Sequence, residues 1–229
     1  MPSSFKIQVL NQIAKVGLDR LPPAFYRFGE SIEDPDAILV RSHDMHSMTI
    51  PASVRAIGRA GAGTNNIPVK DMSARGVPVF NAPGANANAV KELVLAGMLI
   101  AARNLAPALD FANAVSAAEK DDERLAKKVE DGKKKFAGIE LPSHTLGIIG
   151  LGKIGSLIAD SAIKLGMNVL GYDPEITVDA AWGLPSQVRR ASSIEEVLKA
   201  SHFITVHVPL LEMTRHLINK DNLSLARRG

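Results

Sequence analysis

The sequence predicts an α/β fold with mostly parallel sheets, and three observations carry that prediction. Short apolar runs of strand character recur along the chain, at Lys6–Leu10, Ala37–Val40, Ala56–Gly58, Val77–Phe80, Thr145–Ile149, Met167–Tyr172 and Phe203–His207. Helical or turn segments separate consecutive runs, as crossovers between parallel strands require. Polar and glycine-rich residues gather just after the runs, at the strand ends where ligands bind in open parallel sheets.

Composition narrows the classes. A chain of 229 residues, 46% of them apolar, has room for one large domain or two small ones with a sizeable core. A net charge of +3 is too mild to argue for a nucleic-acid partner. With no cysteine there is no disulfide, thiolate metal site or thiol nucleophile, which fits a reducing cytoplasm, the expected location. The longest apolar run, Leu93–Ala102, falls far short of the roughly 18 residues of a membrane span, and Met1–Gln12 lacks an apolar signal core. Neither a membrane nor a nucleic acid is an expected partner. The histidines at 43, 46, 144, 202 and 216 form no metal-like spacing with carboxylates, so no metal is expected.

Taken in order, Asn11–Leu21 reads as a helix closed by Pro22-Pro23. Arg41-Ser42 ends the second strand. Arg59 ends the third and leads into Ala60-Gly61-Ala62-Gly63-Thr64, small residues that can turn successive amides toward one point as an anion nest. A plain glycine loop with a surface arginine reads equally well there. After the fourth strand, Asn86 or Asn88 is placed to cap the next helix. That helix, Ala89–Arg103, is apolar almost all round and is expected to be buried between layers, crossing from a first domain to a second. Ala117–Phe136 interleaves lysines with acids and reads as a solvated helix rather than an anion-binding arm.

The sharpest motif is Gly150-Leu151-Gly152-Lys153-Ile154-Gly155, a G-x-G-x-x-G turn with a strand before it and a helix, Ser156–Leu165, after it. Gly150 permits the tight turn, Gly152 lets a pyrophosphate approach bare backbone, and Gly155 lets the helix pack on the strand. The helix start supplies free amides and the positive end of a dipole. Asp173 ends the following strand, about twenty residues on, where a carboxylate takes a ribose. The stretch reads as a dinucleotide site. Further on, Ile194–Ala200 reads as a helix. His207, at the end of the last strand, invites a catalytic role, but no acid nearby in sequence would orient it, and a space-filling histidine is the better reading.

Ile38–Ser42, Gly58–Gly63, Asn81-Ala82-Pro83, Gly150–Gly155, Gly171–Pro174 and Phe203–Leu210 occur together and in order. This set resembles the D-isomer-specific 2-hydroxyacid dehydrogenases over nearly the whole chain. The resemblance implies a flavodoxin-like substrate domain plus a Rossmann NAD-binding domain, placed here at residues 1–99 and 100–229, each incomplete at its C-terminal side. It implies NAD as cofactor, with Gly150, Gly152, Lys153, Ile154 and Gly155 at the pyrophosphate and Asp173 on the adenosine ribose. Val208 and Pro209 would flank the adenine, and Ala62 and Asn86 would lie near the nicotinamide. Arg41, Arg59, Ala62 and Gly63 would face the substrate, a small phosphorylated 2-hydroxy acid. The implied activity is oxidation of 3-phosphoglycerate, in serine biosynthesis. Reduction of glyoxylate or hydroxypyruvate, or a non-catalytic NAD-sensing module, are the alternatives. A homo-oligomer, dimer or tetramer, is also implied. The family's catalytic arginine, glutamate and histidine would lie beyond Gly229, so no catalytic residue is expected within this span, and residues 1–229 alone are expected to be inactive.

Overall fold

The structure, a computed structural model, describes residues 4–11 and 13–228. It divides into two compact units, Met1–Asn86 and Ala87–Gly229.

The first unit runs β1 (Phe5–Leu10), α1 (Lys15–Leu18), β2 (Tyr26–Gly29), β3 (Ala37–Val40), β4 (Ala56–Arg59), α2 (Val69–Ala74) and β5 (Val79–Asn81). Its strands form one parallel sheet in the order β2-β1-β3-β4-β5, the flavodoxin-like arrangement. Ile38, Val40 and Ile57 are fully buried and pack with Met45, Val54 and Met72. Two features depart from the sequence reading. The helix expected over Asn11–Leu21 shrinks to Lys15–Leu18, with Gly17 inside it and no side-chain cap at Ala14; Gln12 lies outside the described residues. Strand β2 carries Arg27 and, among the described residues, pairs only with β1, so it shows little of the apolar pattern of a central strand.

The second unit runs α3 (Ala87–Ala102), α4 (Leu105–Ala118), α5 (Asp122–Gly132), β6 (Thr145–Ile149), α6 (Lys153–Lys164), β7 (Asn168–Tyr172), α7 (Val178–Trp182), β8 (Val188–Arg190), α8 (Ile194–Ala200), β9 (Phe203–Val206) and α9 (Lys220–Leu223). The sheet is parallel in the order β8-β7-β6-β9. Strand β6 is buried on both faces. Leu146 and Ile148 pack with Ile158, Ala159 and Ala162 of α6, while Ile149 packs with Val197 of α8. The crossover helix was expected to be buried all round, and the structure corrects this. Met98 and Ala102 are buried in the α6 cluster, but Leu93 is 73% exposed and Leu99 and Ile100 are also exposed. Helix α3 packs on α6, and the compact units divide ahead of it, at Asn86–Ala87. The charged stretch at 117–136 is interrupted rather than continuous: α4 ends at Ala118, and Asp121 caps a new helix by accepting from the Arg124 amide at 2.9 Å.

Helix α6 approaches β6 so closely that a Cβ at Gly155 would collide with the carbonyl oxygen of Gly150. Backbone offers no rotamer to move aside. Gly155→Ala is therefore expected to destabilise the chain by about 3 kcal/mol, read as a lowered urea midpoint at constant slope. A loss below about 0.5 kcal/mol would show that the helix shifts freely.

Two histidines are tied to β9. His202 receives the Thr145 amide on Nδ1 at 3.0 Å and returns its own amide to the Thr145 carbonyl at 2.8 Å, joining the starts of β6 and β9. Burial, then the Arg227 guanidinium and the His144 ring, hold its pKa below the usual histidine value. Burial likewise lowers His207. Folding thus favours the neutral rings. Their contribution is present above the unfolded pKa of about 6.5 and is lost as pH falls through the lower folded values. The urea midpoint should fall between about pH 7 and pH 5, and less so in His202→Asn, which keeps an acceptor but does not titrate. An identical pH slope in that variant would exclude His202 as a source.

Candidate functional site

In the second unit the strand order turns at β6, with β7 and β8 on one side and β9 on the other. The crevice at the carboxyl ends of β6 and β9 is the place where such a sheet binds ligands. The turn after β6 occupies it. Gly150 adopts φ +92°, a left-handed conformation, and donates its amide to the Tyr172 carbonyl at 2.9 Å. A Cβ there would also run into the His207 carbonyl and the Val208 side chain, so glycine is required twice over.

Gly152 is the N-cap residue of α6 and supplies no side-chain cap; a Cβ on it would meet nothing within 4 Å. The start of this 12-residue helix therefore offers backbone amides and a positive dipole end to an open surface, with exposed Lys153 beside it. A crevice of about 410 Å³ opens here, lined by Gly152, Lys153, Ser156, Asp173, Thr177 and Asp179 among others. Its size suits a small ligand. Asp173 stands at the end of β7 and accepts from the Leu151 amide on Oδ2 at 2.8 Å and from the Glu175 amide on Oδ1 at 3.0 Å. Each carboxylate oxygen retains acceptor capacity for a hydroxyl. Val208 is half-buried among Ile149, Leu170 and Val197, and Pro209 is exposed. Their loop is held by Thr214, whose hydroxyl donates to the Pro209 carbonyl at 2.6 Å and accepts from the Leu211 amide at 2.7 Å. The second unit thus gathers Gly150, Gly152, Lys153, Ile154, Gly155, Asp173, Val208 and Pro209 at one end of its sheet. This end combines a helix start whose amides can bind an anion with a carboxylate that can accept from a hydroxyl.

Sequence reasoning missed Leu151, Ser156, Thr177, Asp179 and Thr214. Only Ser156, in the first turn after the glycines, carried a local signal. Leu151 fills a variable position of the turn itself, and the others come from segments whose approach to the turn depends on the fold.

His207 is half-buried, and its Nε2 lies 2.7 Å from the Thr205 hydroxyl. No carboxylate pairs with it among the described residues, in keeping with a structural role.

In the first unit, Arg41 follows β3 and Arg59 ends β4, and Val40 and Arg59 are register partners, so the two arginines stand at neighbouring strand ends. The loop after Arg59 is fixed by Ala60 donating to Val40, Ala82 donating to Gly61 at 3.0 Å, and the Asn81 side-chain amide donating to the Ala62 carbonyl at 2.6 Å. Among the described residues, the Ala62 and Gly63 amides donate to no carbonyl and neither arginine meets a carboxylate. The Arg59 guanidinium folds over Gly61, and its buried Nε has no partner among the described residues. Arginine side chains and free backbone amides at one corner can meet an anion. Asn86 is exposed directly ahead of α3, and Asn88 lies inside that helix, donating to Glu92 rather than capping. Ala62 and Asn86 thus belong to the first unit, and the other expected cofactor residues to the second.

Comparison with known proteins agrees with the fold. Residues 105–229, more than half of the chain, match the profile described as D-isomer specific 2-hydroxyacid dehydrogenase, NAD binding domain. A D-3-phosphoglycerate dehydrogenase of Methanocaldococcus jannaschii is 37% identical over 203 residues, covering 87% of this chain and 36% of the relative. A hydroxypyruvate reductase of Thermotoga maritima is 35% identical over 204 residues, covering 86% of this chain and 59% of the relative. The chain thus spans only part of the length of the relatives it matches. Among solved structures, D-mandelate dehydrogenase of Rhodotorula graminis shares the fold with a TM-score of 0.77 at 22% identity, over 99% of this chain and 72% of that one. An NAD⁺-bound 3-phosphoglycerate dehydrogenase of Entamoeba histolytica gives 0.69 at 24% identity, over 98% of this chain and 69% of that one. The chain belongs to the D-isomer specific 2-hydroxyacid dehydrogenase family, and its second unit carries that family's NAD binding domain.

Proposed function

We propose that this chain serves the oxidation of 3-phosphoglycerate at C2, giving 3-phosphohydroxypyruvate. The observation that carries the substrate assignment is the pair Arg41 and Arg59 at adjacent strand ends, with the Ala62 and Gly63 amides beside them. Two guanidinium groups exceed what one small carboxylate requires, and their forked donors suit phosphate oxygens. In the second unit, the Gly152 and Lys153 amides would hold the pyrophosphate of NAD, and Asp173 would accept from the adenosine ribose. When bound, NAD supplies the acceptor for the hydride leaving C2. Val208 and Pro209 would cover the adenine, held by the Thr214 hydroxyl. No residue of this chain is assigned the proton transfer; on the family resemblance that part belongs to a histidine outside residues 1–229. The hydroxypyruvate reductase relative, at 35% identity, supports a second reading in which an unphosphorylated 2-keto acid is reduced.

The two readings differ at Arg59. In protein of the family's full length, Arg59→Ala should lower kcat/KM for 3-phosphoglycerate by about 10- to 100-fold, the worth of a charge-assisted contact. An unphosphorylated 2-hydroxy acid should lose markedly less. Equal losses on both substrates would remove the phosphate assignment and favour the reductase.

The protein is also proposed to form a homodimer through the α3–α4 surface, which leaves Leu93, Leu105 and Leu109 exposed. Exposed leucines on two consecutive helices supply apolar surface of the kind that marks an interface when contiguous. Sedimentation should give a dimer for the parent and a monomer for Leu105→Asp/Leu109→Asp. A monomeric parent would refute this.

A further inference from the structure

The turn between β6 and α6 is tied to the end of β7 at three points. Gly150 donates its amide to the Tyr172 carbonyl at 2.9 Å, and Leu151 donates its amide to Asp173 Oδ2 at 2.8 Å. The Leu151 side chain is buried against Gly171, where a Cβ would press on both of its methyl groups. Asp173 is itself oriented by the Glu175 amide at 3.0 Å. The carboxylate is thus engaged on both oxygens by the protein's own backbone, before any ligand arrives.

The Leu151 amide stands between two glycines, the residues with the least conformational preference. Without a fixed partner, the peptide planes of the turn would be free to rotate, and the amides that follow would lose their common direction. A carboxylate acceptor fixes one plane with a charge-assisted bond, about twice as strong as a neutral one. We propose that Asp173 is a positioning residue for the anion cradle. By holding the Leu151 amide toward β7 it sets the directions of the Gly152 and Lys153 amides, independently of any contact with a ribose. The proposal rests on the cofactor reading of the second unit and gives its acid a second duty.

Electrostatics alone requires the opposite outcome. A carboxylate beside a phosphate site repels the phosphate, so its removal should tighten anion binding; loss of positioning should weaken it. The test uses the 229-residue chain, isotopically labelled for amide resonances, and inorganic pyrophosphate, which has no ribose to touch Asp173. In the parent, pyrophosphate should shift the Gly152 and Lys153 amides, and the Leu151 amide should be protected from exchange by its bond to Asp173. In Asp173→Ala, hydrogen exchange at Leu151 should quicken by at least about tenfold, and pyrophosphate should bind more weakly. Asp173→Asn keeps one acceptor oxygen and should restore part of both. Unchanged exchange at Leu151, or pyrophosphate binding as tight as or tighter than the parent's in Asp173→Ala, would overturn the positioning role alone. Parent amides that ignore pyrophosphate would overturn the cradle, and the cofactor reading with it. Should Asp173→Ala fail to fold by circular dichroism, hydrogen exchange at Leu151 and pyrophosphate binding in the asparagine variant decide the same question.

Discussion

The second unit depends on how closely two backbones can approach at the turn after β6. The Gly155 Cα faces the Gly150 carbonyl, and Gly150 lies under the His207 carbonyl. At such distances no side chain fits, so both positions carry only hydrogen. That approach brings α6 onto β6, seats Ile158, Ala159 and Ala162 in the core, and delivers the helix start to the carboxyl edge of the sheet. A larger residue at either glycine would separate the layers, and the anion-binding helix start would no longer stand at the crevice.

The two units solve the same problem with different devices. Both are parallel sheets, so both must collect their ligand-facing groups at carboxyl strand ends. In the second unit the free donors are backbone amides at the uncapped start of α6, with Lys153 beside them. In the first they are the side chains of Arg41 and Arg59, over a short loop whose own amides are partly free. Backbone amides are fixed once the helix forms and tolerate little change in the ligand. Guanidinium groups adapt more readily, and this is where members of one family with different substrates would be expected to differ.

The apolar helices show where a sequence pattern misleads. Helix α3 is apolar almost all round, a pattern that ordinarily means burial on every side. In the structure it packs along one face, through Ala87, Met98 and Ala102, and leaves Leu93 and Ile100 open. Apolarity states that a surface avoids water; it does not state which surface covers it.

The chain by itself determined the alternation of strands and helices, because buried parallel strands read as continuous apolar runs wherever they lie in the order. It also determined the turn at Gly150–Gly155 and the acid at Asp173, since short-range mechanics demands those residue types at that spacing. The weakly patterned edge strands β2 and β8, Tyr26–Gly29 and Val188–Arg190, were not legible, as an edge strand needs only one partner and little burial. Only the tertiary structure decided that Asp173 also bonds the Leu151 amide, that Val208 presses on Gly150, and that Thr214 holds the Pro209 loop. Each of these contacts joins a loop to groups brought near it by strand pairing or by a tight local fold. Direction and distance at a loop end are properties of packing, on which residue spacing in the chain is silent.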